Sequence, residues 1–260
     1  MDISIDEKRV YDGDGEDVPV YVVGEFGVAV VRTSDDLVGE FGLERRCTAR
    51  DAAGADGRLA VATDEDVLVG DGEAFDALGS GPATAVGFAD RDLLVAREDG
   101  AILRGDGDDW TELGELDGVR AIDGEFVAAE SGVYRATDGL EHAGLDDARD
   151  VAAEGVPLAA TADGLYKLGN GWMRELDGEF RAVSAGGSNW AHAAGESGLF
   201  TREDGAWREA EVPTDEAVVA LDHGEGVYAV TEDGTFLLSV GDGWRSQVLG
   251  LRGVRAVAAP

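Results

Sequence analysis

The chain repeats one pattern along most of its length, and that repetition limits the fold more than any other feature of the sequence. The segments LLVAREDGAILRGDGDDWTEL, FVAAESGVYRATDGLEHAGL, PLAATADGLYKLGNGWMREL, WAHAAGESGLFTREDGAWREA and GVYAVTEDGTFLLSVGDGWRSQV share one order. An apolar strand meets a turn, a second apolar strand meets another turn, and a third strand follows, often opening with Trp. The first-turn glycines are Gly100, Gly132, Gly164, Gly198 and Gly234, at steps of 32, 32, 34 and 36 residues. The second-turn glycines Gly72, Gly107, Gly139, Gly171, Gly205 and Gly243 keep pace with them. Asp-Gly, Asn-Gly and Ser-Gly between apolar runs signal hairpins, because the tight two-residue turns need positive φ at their centre. Each repeat therefore predicts two consecutive hairpins.

A fourth strand precedes each triplet, visible in VRAID, RDVAA, RAVSA and VVALD. Four strands of about five residues with short turns fill a period of about 33. A unit of that size cannot bury its apolar faces alone and must stack on its neighbours. The prediction is all-β: a seven-bladed β-propeller of four-stranded antiparallel blades. Six blades fall at residues 49–79, 83–116, 118–145, 147–179, 180–213 and 216–250. The seventh is composite. GVRAVAAP supplies one strand at the C-terminal end, VPVYVVGEFGVAVVRTSDDLVGEFGLERR supplies three at the N-terminal end, and their pairing closes the ring. Residues 18–260 form a single propeller domain, and residues 1–17 read as an N-terminal lead or an extra edge strand.

The segments TADGLYKLGNGW and TREDGAWREA resemble the short repeats of sensor-type and YVTN-like propellers, and the whole chain resembles a β-propeller family of haloarchaea. The resemblance implies a fold and a salt-adapted organism, and it brings no catalytic residue with it. TREDGAW, with Asp204, Gly205 and Trp207, falls at the hairpin where the Asp-box propellers, sialidases included, carry S-x-D-x-G-x-T-W. Its spacing departs from that box, and no arginine triad with Tyr and Glu partners is identifiable.

Charge says where such a chain works before it says what it does. The formal charge is −34, from 55 Asp and Glu against 21 Lys and Arg, spread over every segment. Self-repulsion of that size is relieved when molar salt shortens the Debye length to about 3 Å, which fits a halophilic cytoplasm. A diffuse negative surface repels phosphate backbones and anionic headgroups, so neither nucleic-acid nor membrane binding is expected. One cysteine, Cys47, excludes an intramolecular disulfide. MDISIDEKRV lacks the basic and apolar regions of a signal peptide.

Against that background the arginines stand out. Arg50, Arg120, Arg149, Arg181 and Arg255 all lie near the start of an innermost strand, so in a ring they share one rim of the central channel. Guanidinium forks there can bind an anion, such as a carboxylate-rich peptide or a phosphorylated ligand. The preferred alternative is consumption in interblade pairs with the first-turn acids Glu98, Glu130, Glu196 and Glu232. Trp190 and His192 break the repeat: His192 takes the slot of Leu94, Phe126, Leu158 and Tyr228, either as part of a channel-mouth site or as a hydrogen-bonded core histidine. Trp110, Trp172, Trp207, Trp244 and Phe75 read as blade packing before sugar or peptide binding.

Three histidines and one cysteine without ligand spacing predict no transition-metal site, and no cofactor is expected. DGDGED (12–17) and GDGDDW (105–110) open like calcium loops but lack the twelfth-position Glu. No nucleophile motif occurs, and no catalytic residue is assigned. The expected function is a non-enzymatic scaffold or protein-interaction module with a protein partner. The alternative is a ligand-binding or hydrolytic propeller with an anion site at the channel mouth.

Overall fold

The computed structural model describes residues 17–260 apart from 73, 108 and 242. Its 28 strands form seven four-stranded antiparallel sheets arranged as the blades of a ring. Blade 1 is the composite. Its innermost strand, Val254–Ala258, pairs with Val18–Gly24 through Tyr21↔Ala258, Val22↔Val257 and Val23↔Ala256, and Gly27–Ser34 and Leu37–Arg45 follow outward. Blades 2 to 7 run outward in chain order from the inner strands Ala49–Ala55, Ala83–Ala89, Val119–Asp123, Ala148–Ala152, Phe180–Gly187 and Val218–His223. Ring closure is therefore as the terminal strands predict. The reading of residues 1–17 as a lead or edge strand falls, apart from Asp17, outside the described residues.

The burial pattern explains why the second strand of each repeat is apolar on both faces. A strand between two blades has no solvent side, so Val20–Val23, Phe126–Ala129 and Val227–Thr231 are buried throughout, whereas outer strands such as Phe75–Ala77 are half-buried at most. The buried side chains fall into seven clusters, and each one joins two adjacent blades. One holds Ala60 and Val67 of blade 2 with Val86, Leu93 and Val95 of blade 3. The cluster at the seam holds Tyr228, Val230 and Phe236 of blade 7 with Val20, Val22 and Val257 of blade 1. Burial of about 25 cal/mol per Å² of apolar surface thus stabilises the ring at interfaces between repeats rather than inside any one of them.

The aromatics that open the outer strands take part in this packing. Trp110, Trp172, Trp207, Trp244 and Phe75 each pack against a cluster shared with the preceding blade. Trp172 meets Phe126 edge-on at 6.4 Å and donates its Nε1–H to the Ala143 carbonyl at 3.0 Å. At the seam, Gly54 lets the chain's last residues approach the inner strand of blade 2: a Cβ there would stand 2.6 Å from the Pro260 backbone. Among the described residues no helix is long and apolar enough to cross a membrane.

Candidate functional site

Every inner strand carries a one-residue bulge at the same place. The register slips between Ala49 and Asp51, Ala83 and Ala85, Val119 and Ala121, Ala148 and Asp150, Phe180 and Ala182, and Val218 and Ala220, and opposite Val254–Ala256 in blade 1. The extra residues are Arg50, Thr84, Arg120, Arg149, Arg181, Val219 and Arg255. A bulged residue leaves the ladder and re-aims its side chain. The rim of arginines expected from the repeat is thus a product of backbone geometry: the bulge turns each guanidinium to one end of the channel.

Four of the five arginines have carboxylate partners. Arg50 reaches Glu98 of blade 3 at 3.1 Å and the Ala83 carbonyl at 3.4 Å. Arg120 pairs with Asp147, donates to the Ala148 carbonyl at 3.1 Å, and stands 3.5 Å from Glu130. Arg149 pairs with Glu179, the residue just ahead of the blade 6 inner strand. Arg255 stands 3.4 Å from Glu25 of its own blade. Arg181 lines the channel and forms no ion pair or hydrogen bond with a described residue. Interblade pairing thus engages three of the five. Of the first-turn acids, Glu98 and Glu130 take part, whereas Asp147 and Glu179 come from the position just ahead of the next inner strand.

Trp190 lies at the other end of the channel wall from Arg181, and His192 stands behind the wall opposite Ser184. In blade 6 Phe180 pairs with Gly195, Ser184 with His192 and Gly187 with Trp190, so Arg181 and Trp190 stand at opposite ends of the Phe180–Gly187 strand. The structure therefore divides the candidates between two sites. His192 is buried, as its apolar counterparts are, and its Nδ1 lies 3.0 Å from His223 Nε2. His223 Nδ1 lies 2.8 Å from the Ser184 hydroxyl, and Trp190 meets the His223 ring edge-on at 4.7 Å. Burial lowers His192 to about 4. Burial and then the neighbouring His192 lower His223 to about 3. Both rings are neutral near pH 7, so His223 is a weak base beside Ser184 and serves as a hydrogen-bonding strut between blades 6 and 7.

Sequence reasoning missed four acids in the channel wall. Asp51 and Asp150 directly follow the bulged arginine, and Asp123 and Asp222 stand near the other end of their strands. Each bridges two inner strands. Asp51 accepts the N–H of Ala52 and that of Val86 in blade 3; Asp150 accepts those of Val151 and of Val183 in blade 6. Asp123 accepts the N–H of Ala153 in blade 5 at 2.7 Å, and Asp222 accepts those of His223 and of Ala259 beyond the closing strand, both at 2.8 Å. Burial raises Asp51 to about 7, Asp150 to about 8 and Asp222 to about 7, against the lowering effect of the backbone donors, and it raises Asp123 too. The signal was present: an acid inside an otherwise apolar inner strand must find a buried partner.

A channel cavity of about 510 Å³ is lined by Arg120, Arg149, Arg181 and Arg255 at one mouth, by small aliphatic walls, and by Ser184, Trp190 and His223 towards the other, with Arg50 and His192 outside the lining. Among the described residues no group of three or more His, Cys, Asp or Glu side chains is placed to hold a metal ion. Chemically, the arginine mouth can take an anion through forked N–H donors.

Known proteins agree with this architecture. No curated protein matches the chain. The WD40 domain of Neurospora crassa Pan2 superposes with a TM-score of 0.63 at 12% identity, over 83% of each chain. The computationally designed Ika8 protein gives 0.60 at 17%, over 94% of this chain and 91% of its own. YCF48, in a structure with a D1 peptide bound, gives 0.58 at 15%, over 78% of this chain and 83% of its own. At such identities these likenesses concern the fold. The model of the HVO_0234-like β-propeller family, by contrast, matches residues 4–260, and the chain belongs to that family.

Proposed function

We propose that the chain is a non-enzymatic propeller that presents its arginine rim to a protein partner, in the cytoplasm of a salt-adapted cell. The observation that carries this reading is the rim itself. Five of 21 basic residues share the bulge position of the inner strands, four of them lining the channel, in a chain whose net charge is −34, and four of the five guanidiniums are held by carboxylates. A rigid surface of this kind binds without first ordering its side chains, and arginine is enriched where proteins meet. The weakly basic His223 beside Ser184 points the same way, since a general base works best with a pKa near the operating pH. YCF48, similar in fold, is known with a D1 peptide bound, which lends this use of a propeller a parallel.

The test is affinity capture with the tagged protein from a high-salt lysate. A partner at fixed stoichiometry that is displaced by the Arg120→Gln/Arg149→Gln double substitution supports the reading. A protein that emerges alone, with a small molecule retained in its channel, would overturn it.

A further inference from the structure

The ion-pair pattern of the rim has a gap. The carbonyls of Thr48, Pro82, Gly118, Asp147, Glu179 and Ala217 accept the N–H of first-turn residues Asp64, Glu98, Glu130, Ala162, Glu196 and Glu232 respectively, so these six share one structural position just ahead of an inner strand. Arg120 of blade 4 pairs with the residue at that position in blade 5, Asp147. Arg149 of blade 5 pairs with its equivalent in blade 6, Glu179. The equivalent position ahead of the blade 7 inner strand, next in order from Arg181, is Ala217. Arg50 faces the same deficit, Pro82, and is met by Glu98 from the first turn. Glu232 holds the place of Glu98 in blade 7 and forms no ion pair with Arg181. A guanidinium with five N–H donors thus lines the mouth where sister blades supply a carboxylate and this one supplies a methyl group.

Resting on the protein-partner reading above, we infer that Arg181 is the docking point for a carboxylate of the partner, which supplies what Asp147 and Glu179 supply to the neighbouring arginines. The surroundings narrow the ligand. A surface field set by −34 net charges repels polyanions, so the position favours a peptide with one carboxylate, such as a chain end, over a polyacidic or polyphosphate ligand. The channel that Arg181 lines also includes Val219 at the equivalent position of blade 7, so an apolar side chain rather than a second charge adjoins the mouth.

The probe is N-acetyl-trialanine with a free carboxylate, against the same peptide as its C-terminal amide, titrated into the full chain at fixed ionic strength while the Arg181 Nε–H resonance is followed. The acid should shift it saturably and the amide at least about 10-fold more weakly, the loss typical of a charge-assisted hydrogen bond. Ala217→Glu should abolish the response by supplying the missing acid within the chain. Thermal stabilisation by the acid should vanish in Arg181→Gln. Equal responses to acid and amide, or an undiminished response in Ala217→Glu, would overturn the assignment. A response to inorganic phosphate at lower concentration than to the peptide acid would overturn it in favour of a free-anion site. Capture of the same partner from lysate by wild-type and Ala217→Glu proteins alike would remove this inference and leave the broader reading standing; capture by neither would remove the broader reading.

Discussion

The carboxylate of Asp222 accepts the Ala259 N–H at 2.8 Å, and that bond fastens blade 7 to the strand that closes the ring. The same carboxylate accepts the His223 N–H at 2.8 Å, so its removal takes this acceptor from two partly buried donors. At about 1–3 kcal/mol for each stranded group, part of it offset by relief of a buried charge, Asp222→Ala should cost about 2–4 kcal/mol. Asp150→Ala removes an equivalent fastener between blades 5 and 6, away from the seam where Val254–Ala258 pairs with Val18–Gly24. The difference should appear in hydrogen exchange. In Asp222→Ala the amides of Ala256, Val257 and Ala258 should exchange by local opening, whereas in Asp150→Ala they should stay protected to the level of global unfolding. Equal protection in the two variants would mean that Asp222 has no special hold on the seam.

The buried acids and histidines set opposing pH dependences. Asp51, Asp150 and Asp222 titrate near 7 to 8 in the fold, far above about 3.9 in the unfolded chain, so the folded state binds more protons and stability falls as pH rises through that window. His192 and His223 titrate near 4 and 3 in the fold against about 6.5 unfolded, so their contribution is complete above 6.5 and is lost as pH falls towards 4. Below 6.5 the two effects partly cancel. Above it only the acids act, and the steepest loss of stability should lie between about pH 6.5 and 8. Denaturant midpoints in molar salt, where surface carboxylates are screened, should show this slope, and Asp51→Asn/Asp150→Asn should flatten it.

The fold was legible because its determinants are local. Turn glycines at a near-constant spacing and apolar strands buried on both faces specify a blade, and three strands at one end of the chain with one at the other specify closure. The arginine rim was legible for the same reason, as one residue type at one place in the repeat. What stayed hidden depends on register and on distant partners. The bulge that re-aims Arg50 and its counterparts leaves no mark in sequence. Asp222 finds its acceptor role 37 residues away, and His192 its partner 31 residues away. The alignment of His192 with Leu94 and Leu158 identified a core slot, yet it could not say that Trp190 and Arg181 stand at opposite ends of one strand.

Salt should stabilise this protein by screening rather than by binding. With 55 acids against 21 bases, most surface carboxylates have no cationic neighbour, and their repulsion acts over about 10 Å at 0.1 M salt but about 3 Å at 1 M. The melting temperature should climb steeply between those concentrations and level off beyond them, by the same amount in NaCl and KCl. A strong preference for one cation would instead indicate specific ion sites among the carboxylates.

The His192–His223 contact is a paired liability, and a double-mutant cycle should expose it. The His192 slot is filled by Leu94, Phe126, Leu158 and Tyr228 in other blades, all buried, so leucine fits there. His192→Leu alone strands His223 Nε2 and should cost about 1–3 kcal/mol. His223→Leu alone strands His192 Nδ1 at a similar cost. The double substitution leaves neither ring, and the Ser184 hydroxyl keeps a partner in Asp222. The double variant should therefore lose about 1–2 kcal/mol less than the sum of the single losses. It should also lose the destabilisation at pH 4 to 6.5, because no buried imidazole remains to resist protonation. Strictly additive losses, with the acid limb unchanged, would show that the two rings are held by packing and that their 3.0 Å contact contributes nothing.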